Sequence, residues 1–242
     1  MALFVTGDIH GEASHIAMRV LSMEERLTPQ DTLLCLGDVG IKYGSWRQPT
    51  LLDYLVSLPC TVLVLRGNHD TRYCRDMLLG TYGERPQLVD WGGGVCLRDE
   101  VDPNVLYLPD GGGAYAIEGH RCLMVPGAWS IDWKVRFDHH LPFEEEEQLT
   151  ATERRRLGEL ARSGDVEYVF SHTCPYSWMG TMSDLLLPVG TMRTDNTMER
   201  WMDEVLGDVA KTCEGWYFGH FHDDRQVSDI GHLLLTDIIK VF

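Results

Sequence analysis

The sequence predicts an α/β fold, because short apolar runs alternate with segments of helical spacing. Residues 2–6, 32–36 and 61–65 are apolar runs that each end in a turn with glycine and a polar side chain. Such runs are typical of buried strands. Ile16 and Val20 lie at helical spacing between the first two runs, and Leu51 and Leu55 do so between the second and third. This order indicates a βαβαβ unit with parallel strands, whose carboxyl ends lie together at a ligand-binding edge.

The remainder of the chain continues the alternation. We expect a hairpin of strands 114–117 and 122–125, a strand 166–170, a helix near 197–205, a strand 215–218 and two short strands that turn near 229–231. A helix is predicted over 142–162, and its glutamates 144–147 are interpreted as a solvated first turn. Because no linker or repeat divides the chain, we predict one domain over 1–242, in which segments 129–165 and 175–200 flank the ligand-binding cleft.

Composition excludes several classes of protein. The chain has 242 residues, 44% of them hydrophobic, and 37 acidic against 21 basic residues give a net charge of −16. This acidity disfavours long nucleic acids and anionic lipid surfaces as partners. No apolar run is long enough for a membrane span, and the first residues lack the basic start of a signal peptide. We therefore expect a cytoplasmic protein with no membrane partner, whose seven widely spaced cysteines are reduced core thiols.

Side chains that bind metal ions follow five of the predicted strands. Imidazole and carboxylate groups favour zinc, manganese or iron over calcium or magnesium. The potential ligands at these strand ends are too many for one tetrahedral zinc ion, but two metal ions that share a carboxylate would use them all. A single sheet edge is expected to bring them together. The residues are Asp8, His10, Asp38, Asn68, His69, His172, His220 and His222.

These residues stand in an ordered series of motifs. They are Gly7-Asp8-Ile9-His10-Gly11, Gly37-Asp38-Val39-Gly40, Gly67-Asn68-His69-Asp70, Ser171-His172 and Gly219-His220-Phe221-His222. The series resembles that of the calcineurin-like metallophosphoesterases, bacterial and phage members in particular, and it covers residues 7–222. The resemblance implies two mixed β-sheets packed in an α/β/β/α sandwich.

The resemblance also implies a metal-dependent phosphoric ester hydrolase that attacks a phosphate ester or anhydride with a metal-bridging hydroxide. The metals would be Mn²⁺ or iron, with Zn²⁺ possible. The implied ligands are Asp8, His10 and His222 for one metal, Asn68, His172 and His220 for the other, and Asp38 as the bridge, with His69 as general acid. Asp70 could orient a histidine, but the sequence does not show which one.

The sequence departs from the Ser/Thr protein phosphatase branch of this family. That branch extends the second motif to GDxxDRG and the third to GNHE. Here Ile41 and Lys42 replace an acidic residue that partners the catalytic histidine and an arginine that grips phosphate. Protein phosphatase activity is therefore in doubt. Substitute cations are available, but none is assigned to the substrate; they are Lys42, Arg66, Arg72 and Arg136.

One further segment and several functions stay open. Residues 127–133 resemble a Gly-Ala-x-Ser-x-Asp stretch of bacterial and phage members, and either a loop beside the cleft or a buried aromatic turn fits them. We expect a small phosphorylated substrate, since two divalent ions would outweigh the two ligand carboxylates and attract an anion. The alternatives are a nucleotide or dinucleoside polyphosphate hydrolase, a Ser/Thr-type phosphatase, or a catalytically silent metal-binding scaffold for protein partners. The sequence does not indicate the oligomeric state.

Overall fold

A computed structural model describes residues 2–43, 46–47, 49–81, 83–130, 136, 138–140, 146–182, 185 and 195–242. Its strands are β1 (Leu3–Thr6), β2 (Thr32–Cys35), β3 (Lys42–Tyr43), β4 (Trp46–Arg47), β5 (Thr61–Val64), β6 (Pro86–Trp91), β7 (Gly94–Asp99), β8 (Val105–Tyr107), β9 (Gly113–Ile117), β10 (His120–Val125), β11 (Tyr168–Ser171), β12 (Gly215–Phe218), β13 (Arg225–Gln226), β14 (Gly231–Leu233) and β15 (Ile238–Lys240). Its α-helices are α1 (Ala13–Ser22), α2 (Pro49–Ser57), α3 (Tyr73–Leu78), α4 (Ala151–Arg162) and α5 (Thr197–Leu206), and two 3₁₀ helices span Tyr176–Met182 and Val209–Lys211.

The strands form two mixed sheets and a small hairpin of β3 and β4. The first sheet has the order β15-β1-β2-β5-β8-β7-β6, in which β1, β2, β5 and β8 run parallel. The second has the order β13-β14-β12-β11-β10-β9, in which β10, β11, β12 and β14 run parallel. Neighbouring parallel strands are paired from their first residues, as Leu3 of β1 with Thr32 of β2 shows. Their carboxyl ends therefore lie side by side at one edge of the sheet.

Alternating side chains sort the molecule into four layers. In β2, Leu33 and Cys35 pack with the apolar side chains of α1 and α2, while Leu34 faces the second sheet. In β11, Phe170 faces the first sheet and Val169 packs with α4 and α5. Both of these strands thus bury both faces, which is the pattern of parallel strands covered by helices. The predicted α/β fold with two mixed sheets in an α/β/β/α sandwich is confirmed.

Several sequence predictions are confirmed close to their expected bounds. The three strands and two helices of the βαβαβ unit, the hairpin of β9 and β10, β12 and α5 are all present. The seven cysteines are buried and free, as expected of core thiols. Within the described part of the chain, every helix is too short or too polar to cross a bilayer. The assignment of one domain to 1–242 stays a prediction.

The acidic segment before α4 differs from its prediction. The helix begins at Ala151 and not at 142, because Thr150 and Glu153 form a reciprocal capping box at its start. Glu147 is fully buried and pairs with Arg136, so it is not a solvated helical residue. Glu144 and Glu145 lie outside the described residues. The run of four glutamates resembles the first turn of a helix. Only the position of the N-cap at Thr150 shows that the helix begins later.

The sequence prediction lacked the strands at the edges of the first sheet. β6 and β7 form a hairpin whose turn is Gly92-Gly93, and β8 joins it to β5. β15 returns from the second sheet and pairs antiparallel with β1. This return brings the chain after β14 beside the loop that follows β1.

We predict that Phe170→Ala lowers the free energy of unfolding by about 3–5 kcal/mol, the cost typical of deleting a buried aromatic ring. Phe170 is fully buried between the sheets and its ring stacks on Tyr217. Chemical denaturation measures the change. Leu88→Ala, at a side chain 72% exposed on β6, is the control and is expected to change the free energy by about 0.5 kcal/mol or less. Equal effects of the two variants would contradict the layer assignment.

Candidate metal centre

The predicted ligands come from strand ends in both sheets. Asp8, Asp38 and Asn68 follow β1, β2 and β5 of the first sheet, whereas His172 and His220 follow β11 and β12 of the second. The expectation of a single sheet edge is therefore wrong. The two sheets pack face to face and their parallel strands end at the same side, so two edges meet there and supply ligands from opposite directions.

Four predicted ligands form one tight group. One ligand atom from each of Asp8, His10, Asp38 and His222 lies within 4.8 Å of every other. The Nε2 atoms of His10 and His222 are 3.0 Å apart, and Asp8 Oδ2 lies 3.2 Å from the latter and 3.7 Å from the former. Nitrogen and oxygen donors of three strand ends therefore face a common point.

A second group adjoins the first across Asp38. His172 Nε2 lies 2.8 Å from Asn68 Oδ1 and 3.4 Å from Asp38 Oδ1. The Nδ1 atom of His172 is 2.8 Å from the carbonyl oxygen of Leu36, and donation to that carbonyl leaves Nε2 as the metal-facing atom. The His220 ring lies 5.1 Å from the His172 ring, between centroids, and its backbone N–H donates to Asp8.

The backbone at these ligands is strained. His10, Asp38, His220 and His222 have φ values of +53°, +48°, +74° and +53°, in the left-handed region that non-glycine residues rarely adopt. Such residues each cost on the order of 1–3 kcal/mol and persist where the surrounding structure imposes them. In the described part of the chain only two other non-glycine residues, Glu118 and His140, share this conformation. The strain is thus concentrated where the ligand side chains converge.

Glycines beside the ligands permit the close approach of the loops. A Cβ atom at Gly67 would lie 2.1 Å from Asp38 Oδ1, and one at Gly37 would lie 2.3 Å from His172 Nδ1. Gly37 also has a φ of +100°, which side chains disfavour. Gly37, which precedes Asp38, and Gly67, which precedes Asn68, are therefore steric requirements of the site.

Burial and mutual charge shift the pKa values of this group. Burial raises the pKa of Asp38, but the charge and hydrogen bond of His172 outweigh it and the net pKa lies well below the usual value. Burial lowers the pKa of His172, yet the Asp38 carboxylate raises it to about 9. Burial and the nearby His172 hold the pKa of His220 well below its ordinary value. A metal bound between them would have to displace the His172 proton, since metal ligands are neutral imidazoles.

Asp70 ties the second and third motif loops together and orients no histidine among the contacts described. Its buried carboxylate accepts hydrogen bonds from the backbone N–H groups of Val39 (3.2 Å), Gly40 (2.9 Å) and Gly67 (2.9 Å). Tyr73 donates to it as well. Burial and the charge of Asp38 raise the pKa of Asp70. The carboxylate therefore fixes the backbone on both sides of Asp38.

His69 lies beside the group without entering its closest contacts. Its backbone N–H donates to Asp38 Oδ1 at 2.7 Å, and its Nε2 lies 4.0 Å from Asp38 Oδ2. The side chain is 22% exposed, and its ring lies edge-on to His10 with centroids 5.5 Å apart. This position leaves the imidazole accessible to a molecule bound over the metal ligands.

The donor set fits a metal ion on the structure's own terms. Asp38 Oδ2 is buried and has no hydrogen-bond partner among the described residues. An ionised oxygen left in that state is costly unless a cation or donor is supplied. The Nε2 atoms of His10 and His222 face the same point. Mixed imidazole, carboxylate and amide donors suit a transition metal better than calcium or magnesium.

A buried polar network lies behind Asn68, and the sequence analysis missed it. Asn68 Nδ2 donates to Ser130 Oγ (2.8 Å), and Arg136 donates to the same oxygen (2.7 Å) and to Glu147 (3.0 Å). All four residues are buried. The Gly-Ala-x-Ser-x-Asp stretch was the available signal for Ser130. Residues 127–130 pack directly behind the loop that carries Asn68, whereas residues 131–133 lie outside the described part of the chain.

Most of the candidate phosphate-binding cations are engaged elsewhere. Arg66 is buried and donates to the carbonyl oxygens of Gly67 and Glu147, and Arg72 pairs with Glu153 and Glu146. Arg136 belongs to the network behind Asn68. The side chain of Lys42 lies outside the described residues. None of the three described cations is therefore free to turn toward a substrate without breaking existing contacts.

No curated protein matches the chain. Two solved structures resemble it weakly: a protein of unknown function from Aquifex aeolicus (14% identity, TM-score 0.34, covering 71% of this chain and 80% of that one) and a putative 5'-nucleotidase from Staphylococcus aureus, solved with alpha-ketoglutarate (15% identity, TM-score 0.44, covering 97% and 48%). The chain thus spans about half the length of the second protein. Both similarities are too weak to support a functional argument.

The similarity to one protein family extends over nearly the whole chain. The model of the family described as calcineurin-like phosphoesterase matches residues 1–224, nearly the whole chain. The match includes all five strand ends at which the predicted ligands lie. Together with the two mixed sheets and the metal-type cluster, it shows that this chain belongs to the calcineurin-like phosphoesterase family.

Proposed function

We propose that this protein is a dinuclear metal-dependent phosphoesterase that hydrolyses a small phosphate ester or anhydride. The observation that carries the proposal is the convergence of Asp8, His10, Asp38 and His222 within 4.8 Å, with Asp38 Oδ2 buried and without a hydrogen-bond partner among the described residues. Membership of the family supplies the reaction class, hydrolysis of a phosphoester.

The two adjoining groups correspond to two metal positions. Asp8, His10 and His222 would hold one ion, and Asn68, His172 and His220 the other. Asp38 lies between the groups, with Oδ1 toward His172 and its carboxylate in contact range of the first group, so it is the candidate bridge. Mn²⁺ and iron suit this mixed donor set, and Zn²⁺ is also compatible.

Bound ions would supply a water acidic enough to attack phosphorus near neutral pH and would neutralise charge on the phosphoryl oxygens. The protein contributes the geometry. The buried carboxylate of Asp38 stays ionised beside the histidines, as its lowered pKa indicates. The local charge at the site would then be positive in spite of the acidic chain, which suits a phosphate anion and not a long polyanion.

His69 is proposed as the general acid. Its Nε2 lies close enough to Asp38 for the carboxylate to stabilise a protonated imidazole, and the ring remains partly accessible. From this position Nε2 can deliver its proton to the leaving oxygen of the substrate, which avoids expulsion of a basic alkoxide. The hydrogen bond from the backbone N–H of His69 to Asp38 holds His69 in position beside the proposed metal ligands.

The network behind Asn68 is proposed to orient that ligand. Arg136 only donates hydrogen bonds, so Ser130 Oγ must act as its acceptor. Glu147 accepts from the backbone N–H of Ser130 (3.0 Å), and the Ser130 oxygen also accepts from the amide nitrogen of Asn68. The amide oxygen of Asn68 therefore points the other way, toward His172 and the second metal position.

The structure favours a small-molecule phosphoesterase over the other candidate functions. Ile41 is fully buried in the apolar layer between the first sheet and its helices, so it provides no acidic partner of the kind that protein phosphatases use. A silent scaffold would not need four strained ligand positions. A nucleotide or dinucleoside polyphosphate substrate is compatible with the site and is an outcome of the substrate screen below.

Metal loading and a substrate screen test the proposal. We expect the purified protein to bind about two Mn²⁺ ions per chain and to hydrolyse a chromogenic phosphate ester. Elemental analysis gives the stoichiometry, and one Mn²⁺-loaded screen compares monoesters, diesters, nucleotides, dinucleoside polyphosphates and phosphopeptides. Less than one ion bound after loading, or two ions without hydrolysis of any ester, would contradict the proposal.

His69→Asn is expected to keep both metal ions and to lower kcat by a factor on the order of 10² or more, because the leaving oxygen loses its proton donor. Steady-state kinetics and metal analysis on the same sample measure both quantities. The loss should shrink with activated esters whose leaving groups need no proton. His120→Asn, whose ring pairs with Glu167, is the control. Unchanged turnover in His69→Asn would remove His69 from the mechanism.

Ser130→Ala is expected to weaken binding of one of the two metal ions by about 10-fold to 100-fold, the usual effect of losing a group that orients a ligand. Calorimetric titration with Mn²⁺ or Zn²⁺ separates this effect from turnover. Ser163→Ala, at an exposed serine after α4, should bind both ions as the unmodified chain does. A variant that loses stability yet binds both ions with unchanged affinity would show that the network has only a structural role.

A further inference from the structure

A cleft opens directly beside the first ligand group. It has a volume of about 630 Å³, and Asp8, His10 and His222 are among the residues that line it. One wall is α1 and the other is the segment 235–238, which β15 carries back to the first sheet. Ligand sites for small molecules usually fall in the range of about 300–1,000 Å³. The cleft thus continues from the proposed metal centre and has room for the rest of a substrate.

The walls of the cleft are mainly apolar. Met18 lies on α1 and Met23 directly follows that helix, and Leu235 and Ile238 belong to the opposite wall. Met18 is 68% exposed although it lies beside a polar metal-ligand cluster. Methionine side chains adapt to varied apolar and aromatic surfaces through their flexible thioethers. An apolar surface that leads away from charged ligands suits a molecule with a charged end and an apolar end.

Both walls are held in place by hydrogen bonds. Arg19 of α1 donates to the carbonyl oxygens of Asp8 (2.7 Å) and Gly7 (3.4 Å), so the helix is anchored at the loop that carries the first ligand. On the other side, Asp224 accepts from the backbone N–H groups of Leu235 (2.7 Å) and Thr236 (3.0 Å). The cleft is therefore preformed, which lowers the entropic cost of binding.

The charges along the cleft disfavour a second anionic group. Arg19 is the one arginine or lysine among the described residues that line it, and both of its terminal nitrogens already donate to the end of β1 and the loop that follows. Asp237 stands at the rim and His15 lies on α1. A polyphosphate or an acidic peptide would place negative charge beside Asp237 without a free cation to offset it. An uncharged aromatic or aliphatic group meets no such penalty.

We infer that this cleft binds the organic group of the substrate and that the preferred substrates are phosphate esters of uncharged apolar groups, about as large as a two-ring aromatic system. The inference rests on the proposed function, because the phosphoryl group must lie at the metal ligands for its substituent to reach Met18 and Met23. It selects apolar monoesters or diesters over inorganic polyphosphates and phosphopeptides.

Binding of a non-hydrolysable probe tests the inference independently of turnover. The probe is 1-naphthylmethylphosphonate, and methylphosphonate, which lacks the ring system, is its control. The protein carries ¹³C-methyl methionine and is titrated with and without Zn²⁺, which is diamagnetic. We expect ring-current shifts at Met18 and Met23 but not at the buried Met124 and Met198, and an affinity about tenfold or more above that of methylphosphonate.

A matched pair of variants locates the contact. Met18→Gln keeps the length of the side chain and removes its apolar end, and it should weaken the naphthyl probe about threefold or more without changing methylphosphonate binding. Leu21→Gln changes a side chain on the same helix that is 83% exposed and does not line the cleft, and it should leave both affinities unchanged.

The outcomes separate this inference from the proposed function. Ester hydrolysis with no methyl shifts, or with equal affinity for the two phosphonates, would overturn the inference and leave the phosphoesterase intact. Shifts that do not depend on Zn²⁺ would show an apolar cleft unconnected with the phosphate site and would also overturn it. Zn²⁺-dependent shifts at Met18 and Met23 that Met18→Gln weakens would support it even if no natural ester has been found.

Discussion

The close approach of the loops that follow β2 and β5 is the constraint on which the site depends. Asp38 and Gly67 meet at a distance that leaves no room for a Cβ atom, and Asp70 holds both loops by their backbone N–H groups. Any widening of this contact would separate Asp38 from Asn68, so His172 could no longer contact both. The backbone of Asp38 at this contact has a positive φ of +48°. The motif glycines and Asp70 are therefore as necessary to the proposed metal centre as its proposed ligands.

The second sheet completes the centre from the opposite side. His172 and His220 reach the first sheet's ligands because the two sheets pack through a continuous apolar layer and end at the same side. This packing buries ionisable groups that would be unfavourable alone. The protein compensates with hydrogen bonds to backbone groups and with the buried network of Ser130, Arg136 and Glu147. Burial thus strengthens every charge interaction at the proposed metal positions.

The return of β15 to the first sheet has a consequence beyond the fold. It places the segment 235–238 opposite α1 and so creates the second wall of the apolar cleft. Arg19 fixes α1 to the loop after β1, and Asp224 fixes the segment 235–238 to the loop between β12 and β13. The substrate preference that we infer therefore depends on an edge strand, whereas the proposed chemistry depends on central strands.

The sequence by itself determined the α/β alternation, the family and the candidate ligand set, because each ligand follows an apolar run at a glycine turn. Local patterns of this kind report what a strand end carries. They did not report that two sheets share the ligands, that Asp70 binds backbone groups instead of a histidine, or that Glu147 is buried against Arg136. Those features join residues far apart in the chain, so only the tertiary structure could decide them. The edge strands and the cleft also depend on the tertiary structure, because short strands and cleft walls form only against the neighbours they pack on.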